Sequence, residues 1–439
     1  MNNLQSKAPI LYQIAEFIQS DKHLINKETL HQSKRVSADT IGVAFSGTKT
    51  EAFKLAIENI DKLFGKGINT IWGTNVKSTL LGAVFYNSLA ISSTDFDEGH
   101  RKAVGHPASM VVPVAFTLGK SLNCSYDKIL KAIVIAYEIA TRFSHARISS
   151  KIDTYSSGRW GATGAATVAA YLLDLDTKKT MHALSNAWIL SPTMLGGSTD
   201  VSTGSMSKEG VAWATQSGFQ SALLAEKGFV GPYSFIDDHE DFEKDKLTEN
   251  LGHSWLINSN YFKPYACCRW LHAAVNACEI IKSENDLKLN DIEHIEIETF
   301  GRAKNLVGSF FPENPVQAQF HLPFVIACML KFGHVLPEHF CEENLNNKNI
   351  KELINKTVLV EKEKYNEAFP EKLPSSVTIK TSGSTCKEEV LTAPWDADCQ
   401  PSDKELSAKF LLQSGEKNQH IWNILFSNKA ESLKNIKHF

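Results

Sequence analysis

From Gly161 to Leu173 the chain is dominated by glycine and alanine, with Val168, Tyr171, Leu172 and Leu173 as the larger members. Small side chains on a helix let neighbouring backbones come close, so this run predicts a central helix buried inside a helical body. The sequence on either side has the same period. Ile129, Ala132, Ile133, Ala136 and Ala140 recur at helical spacing behind Asp127 and Lys128. Met181 to Leu190 predicts another helix, stopped at Ser191-Pro192, because the residue before a proline is pushed out of the helical region. Ala212 to Lys227 predicts a further one, ended by Gly228.

After about residue 258 the period changes. Ile292, His294, Glu296 and Glu298 alternate with Glu293, Ile295, Ile297 and Thr299, the two-residue repeat of a half-exposed strand. Thr357-Val358-Leu359-Val360 and Val377-Thr378-Ile379-Lys380 read as further strands, with helical segments at Ala318–Phe332 and Asn349–Asn355 between them. Strands separated by helices suggest a small α+β domain. The pattern from Ser402 to Leu433 is helical again. The expected fold is therefore mainly α, in three parts: a helical domain over 1–258, an α+β domain over 259–395, and C-terminal helices over 396–439 that rejoin the helical domain. At 439 residues the chain is long enough for two domains, since one core rarely grows past about 250–300 residues.

Charge and cysteine usage exclude several classes. A formal net charge of −3 disfavours a broad phosphate-binding surface, so no nucleic-acid partner is expected. No apolar run reaches the roughly 18–20 residues that span a bilayer, and Met1-Asn2-Asn3-Leu4-Gln5 lacks the basic and apolar regions of a secretory signal. The eight cysteines are scattered without a C-x-x-C pair, and Cys267 and Cys268 are adjacent, which suits neither a disulfide nor a zinc clamp. A reducing cytoplasm is the plain expectation.

Three stretches carry candidate chemistry. Thr94-Asp95-Phe96-Asp97-Glu98-Gly99-His100, followed by Gly105-His106-Pro107, brings three carboxylates and two histidines together. These groups can do acid–base work or hold a metal, and the same residues also make an ordinary solvated acidic loop. Helical His spacing for metal ligands is absent, and no metal or cofactor is expected. Gly196-Gly197-Ser198 leads through Asp200 and Gly204 to Ser205-Met206-Ser207-Lys208. Such a loop can cradle carboxylate oxygens with backbone N–H groups or simply connect two elements, and Lys208 can meet an anion or face water. Tyr261-Phe262-Lys263-Pro264-Tyr265-Ala266-Cys267-Cys268-Arg269, with His272 close behind, offers a carboxylate clamp in which Arg269 supplies a bidentate fork. Its cysteines read as core or pocket-lining residues rather than nucleophiles.

Taken in order, these stretches resemble the MmgE/PrpD family, which includes 2-methylcitrate dehydratase, cis-aconitate decarboxylase and an iminodisuccinate epimerase. Asp95-Phe96-Asp97-Glu98 with His106-Pro107 looks like its D-F-D-D…H-P signature. Gly161-Ala162-Thr163-Gly164-Ala165-Ala166, closed by Leu172-Leu173-Asp174-Leu175, looks like its G-x-x-G-A-A helix. Lys208 resembles the lysine of its central loop. Phe262-Lys263-Pro264-Tyr265 with Cys268 and His272 resembles K-P-Y-x-C…H, and Ala318-Gln319-Phe320 with Leu322-Pro323-Phe324 resembles A-Q-F-S-L-P-Y.

The resemblance implies a large all-helical domain, a smaller α+β lid, a site between them, a homodimer, and proton transfer beside a carboxylate without metal or organic cofactor. Asp95 and His106 would handle protons, while Lys208, Lys263 and His272 would hold the carboxylates of a small substrate. The implied reaction is elimination of water from a 2-methylcitrate-like tricarboxylate, with decarboxylation or epimerisation of a related acid, or an inactive metabolite binder, as the alternatives. Three residues depart from the family pattern. Tyr155 stands where decarboxylase-like members have histidine, Phe324 where many have tyrosine, and Gly99 where threonine is common. Tyr155 is the candidate replacement acid, and His321 the candidate to compensate for Phe324.

Overall fold

The computed structural model describes residues 8–192 and 203–427; the Gly196–Asp200 part of the loop motif and the end of the tail lie outside them. It is 57% helix and 9% strand, a mainly α fold with a smaller α+β part. The Gly158–Leu172 helix is the hub of the helical part, packed by Ala108–Ser121, Tyr126–His145, Thr177–Ile189 and Val211–Glu226. Its small residues permit this crowding. A Cβ built on Gly218 of the Val211–Glu226 helix would collide with the carbonyl of Ala162, so the two backbones meet only because glycine stands there.

The Ala108–Ser121 helix carries Pro113 in its interior, where a helical N–H is missing and the Ser109 carbonyl loses its partner. Ser88 supplies the replacement: its hydroxyl donates to Ser109 O at 2.8 Å. Among the described residues no helix is long and apolar enough to cross a membrane.

The α+β part holds a four-stranded sheet in the order Thr357–Glu361, Ile292–Thr299, Ser375–Thr381, Thr385–Val390. The first pair is parallel and the other two antiparallel. Ile292–Thr299 is thus a central strand. Ile295 and Ile297, paired with Ile379 and Val377, are sealed from solvent, and the His272–Glu284 helix packs on the neighbouring Ser375–Thr381 and Thr385–Val390 strands. The strand's last three residues are all buried, so the half-exposed reading holds only at its start. Thr385–Val390 is a polar edge strand without the apolar alternation that would announce it. The expected Ala318–Phe332 helix is two, Pro315–Ala318 and Leu322–Phe332, because Pro323 starts a new helix.

The Asp403–Ser414 helix lies along Lys27–Gly47 of the helical part. Between them Lys409 and Asp39 form an ion pair of 2.6 Å, with both side chains sealed from water. The pair reaches the acidic block. Lys409 Nζ donates to Phe96 O at 2.8 Å, and the Glu98 N–H donates to Asp39 at 3.1 Å. Removing one member of such a pair leaves a bare buried charge. Lys409→Met is therefore predicted to lower stability by about 3–5 kcal/mol in chemical denaturation, with part of the loss recovered when Asp39 is made apolar as well. A loss under about 1 kcal/mol would contradict this.

Candidate active site

A cavity of about 770 Å³ lies where the two parts meet. The helical part contributes Asp95, His106 and Tyr155 to its wall, and the α+β part Tyr261, Lys263 and Arg269. The acidic block and the Lys263 stretch are joined directly: the Gly99 and Tyr261 backbones exchange hydrogen bonds of 3.1 and 2.8 Å.

Asp95 is the centre of charge. It sits in the left-handed region, φ +48°, which turns its buried carboxylate toward two ammonium groups. Lys208 donates to Oδ1 at 3.0 Å, and Lys263 lies 3.1 Å from Oδ2 while donating to the Asp95 carbonyl at 2.6 Å. Burial works against the charge on Asp95, but Lys208, Lys263 and His106 outweigh it and hold the carboxyl well below its ordinary range. Lys208 is held charged in turn: burial pulls its pKa down, and Asp95 and Glu209 more than reverse this. Its backbone is also turned, with Lys208, Glu209 and Gly210 at φ +42°, +57° and +67°. Glu209 anchors that turn by accepting the Ser157 N–H at 3.0 Å, at the start of the hub helix. Left-handed non-glycine residues cost on the order of 1–3 kcal/mol each and persist where surrounding contacts enforce them.

His106 faces the same carboxylate. Its Nδ1 lies 2.7 Å from the Glu98 carbonyl, which can only accept, so Nδ1 carries a hydrogen and Nε2 points toward Asp95, 3.7 Å away. Nε2 makes no hydrogen bond among the described residues. Below it, the Glu98 carboxylate is sealed from water and receives the Tyr137 hydroxyl at 2.7 Å, the Ala108 N–H at 3.0 Å and the Asn260 amide at 3.2 Å. Burial pushes its pKa up to about 7, against the smaller pull of these donors.

Asp95, Asp97 and His106 present ligand atoms within 4.8 Å of one another. Their charge is already answered: two lysines hold Asp95, Ser109 donates to Asp97, and His106 Nδ1 is spent on Glu98. A divalent cation there would sit against two ammonium groups, so the donor set does not suit a metal.

The remaining predicted residues divide. Arg269 lines the cavity, paired with Asp396 at 2.7 Å, and Tyr155 stands at the rim, 38% exposed, its ring 5.6 Å from the Arg302 guanidinium. Two histidines are placed elsewhere. His272 is outside the cavity wall, fully buried against Tyr265, with Nε2 3.1 Å from the Cys267 carbonyl; burial, Arg269 and Lys263 keep it neutral, so it holds no carboxylate as a cation. His321 caps the Leu322–Phe332 helix by accepting the Phe324 N–H at 3.1 Å and borders a separate cavity of about 370 Å³. Phe324 packs into the core against Phe340, so His321 does not take the place of a hydroxyl in the main cavity. Cys268 lines the cavity as a thiol, its pKa pushed up to about 12 by burial, and Cys267 is sealed. Sequence reasoning does not single out Tyr261, Arg101, Arg302 or Asp396. Tyr261 adjoins a named motif, while the others carry no local signal.

In build, this is a two-part protein with a cavity lined by charged residues of both signs at the seam between a helical body and a small α+β unit. The MmgE/PrpD N-terminal domain matches residues 12–249 and the MmgE/PrpD C-terminal domain residues 265–419, and the chain belongs to the MmgE/PrpD family. Cis-aconitate decarboxylase of Homo sapiens is 26% identical over 418 residues, covering 87% of this chain and 83% of that protein. The cis-aconitate decarboxylase-like protein oryM of Aspergillus oryzae is 22% identical over 420 residues, covering 88% and 86%. Cis-aconitate decarboxylase of Aspergillus terreus is 22% identical over 379 residues, covering 78% and 76%.

Glu98 gives the site a measurable signature. Its folded pKa of about 7 lies above the ordinary 4.5, so the folded protein keeps a proton that the unfolded chain releases. The resulting stabilisation is complete below about pH 4.5 and is lost as pH rises through about 7. Glu98→Gln is predicted to flatten that part of the stability curve, read as the denaturation midpoint at successive pH values. An unchanged slope would contradict the assignment.

Proposed function

We propose that the protein is a lyase of small di- or tricarboxylates, cleaving a bond next to a carboxylate with loss of CO₂ or water and without a metal. The observation that carries this is the buried Asp95 carboxylate, paired to Lys208 and Lys263 with His106 Nε2 at 3.7 Å, in the wall of a cavity sized for a small metabolite. Either reaction leaves an electron pair beside a carboxylate, and preorganised positive groups lower the barrier by meeting that charge where it develops. Lys263, in the cavity wall with its side chain buried against Asp95, and Lys208 behind it set the charge of that carboxylate. His106 moves the proton: it protonates the carbanionic carbon after CO₂ leaves, or takes the α-proton before hydroxide leaves.

The names of the relatives make loss of CO₂ from a cis-aconitate-like acid the reaction to test first. Loss of water from a 2-methylcitrate-like acid is the second reading. It uses the same groups, and the change from histidine to Tyr155 at the rim favours a chemistry unlike that of decarboxylase-like members. NMR of tri- and dicarboxylates in deuterated buffer with chelator separates decarboxylation, dehydration and simple exchange. The expected outcome is turnover of at least one acid, undiminished by chelator, with His106→Asn lowering kcat by about 10²–10⁴. No turnover of any acid, or activity abolished by chelator, would contradict the proposal.

A further inference from the structure

We propose that the Tyr261 phenol is a neutral hydrogen-bond donor to the bound substrate, aimed at the oxygen on which negative charge gathers as the bond beside the carboxylate breaks. This rests on the carboxylate-lyase reading above and adds to it a substrate-contacting residue. Tyr261 shares the cavity wall with Asp95, His106 and Lys263. A buried tyrosine normally spends its hydroxyl on a protein partner. This one has none among the described residues, and its oxygen is not sealed away but open to the cavity.

The phenol is fixed from three sides. Its backbone is tied to Gly99 by the paired hydrogen bonds. Its ring face is covered by the Arg269 guanidinium, 4.9 Å from the ring centre, and that group is itself held by Asp396. The third side is position 99: a Cβ built on Gly99 would fall on the Tyr261 hydroxyl, with the Gly105 carbonyl close behind. Glycine at 99 is therefore the space that the phenol occupies. Burial raises the phenol well above its ordinary pKa, against the opposite pull of Arg269, so it keeps its proton and acts as a donor rather than a base. A rigid neutral donor needs no reorganisation when charge develops beside it, which is the condition for transition-state stabilisation.

Tyr261→Phe removes only the oxygen. With an acid that the wild type turns over, kcat is expected to fall about 10²-fold. KM, and the Kd of the unreactive probe propane-1,2,3-tricarboxylate by calorimetry, are expected to stay within about threefold, with an unchanged melting transition. Gly99→Ala, which displaces the phenol while keeping its hydroxyl, is expected to reproduce the loss in kcat. Turnover within about twofold of wild type in either variant would overturn the proposal. A Tyr261→Phe protein that lost probe binding and its melting transition together would mark a structural role and overturn it too. A wild type that binds and converts no carboxylate would instead overturn the lyase reading, and this proposal with it.

Discussion

A carboxylate removed from water must be paired, and Asp95 is paired twice. Burial alone would neutralise it; Lys208 and Lys263 keep it charged, and it keeps them in place in turn. The two lysines lie 113 and 168 residues along the chain from Asp95, so their meeting ties the acidic block, the Lys208 turn and the Lys263 stretch into one object. The cavity is the space this arrangement leaves at the seam.

The fold sustains that meeting at some local cost. Asp95, Lys208 and Glu209 all take left-handed backbone conformations, which β-region or helical residues would not supply. The enforcement comes from outside the site. Lys409 and Asp39 grip the backbone on either side of Asp97, and Glu209 is fixed to the start of the hub helix at Ser157. Gly218 lets that hub helix sit close to the Val211–Glu226 helix, and a Cβ on Gly158, where the hub helix starts, would strike the Glu209 and Gly210 carbonyls of the Lys208 turn. A C-terminal helix far from the cavity in sequence is thus part of its support.

The helical body is legible in the string because its period is long and regular, and the Gly158–Leu172 hub because its small residues have one strong use. The sheet is less so. Thr385–Val390 is polar, and the burial of Ile292–Thr299 depends on neighbours the strand itself does not name. Asp95, His106, Lys208 and Lys263 are singled out as candidates by residue type and order, and the fold brings them together. His272 and His321 have equally suggestive neighbours, yet a backbone carbonyl and a helix N–H engage their rings, and no sequence pattern tells which way an imidazole turns. Glu98 reads as one more acid in a row; only its enclosure by Tyr137, Asn260 and a helix N-terminus gives it a pKa near neutrality. Nothing in the string marks Tyr261 or Asp396 as cavity-lining, because that depends on what lies across the cavity.

If Asp95 and Lys208 work as one charged unit, losing either should disable the site and losing both should add little. The direct test is a double-mutant cycle on kcat/KM with Asp95→Asn, Lys208→Met and the pair. The account predicts a fall of about 10²-fold or more for each single variant and a double variant no worse than the weaker single. Effects that multiply, as for two independent residues, would contradict it.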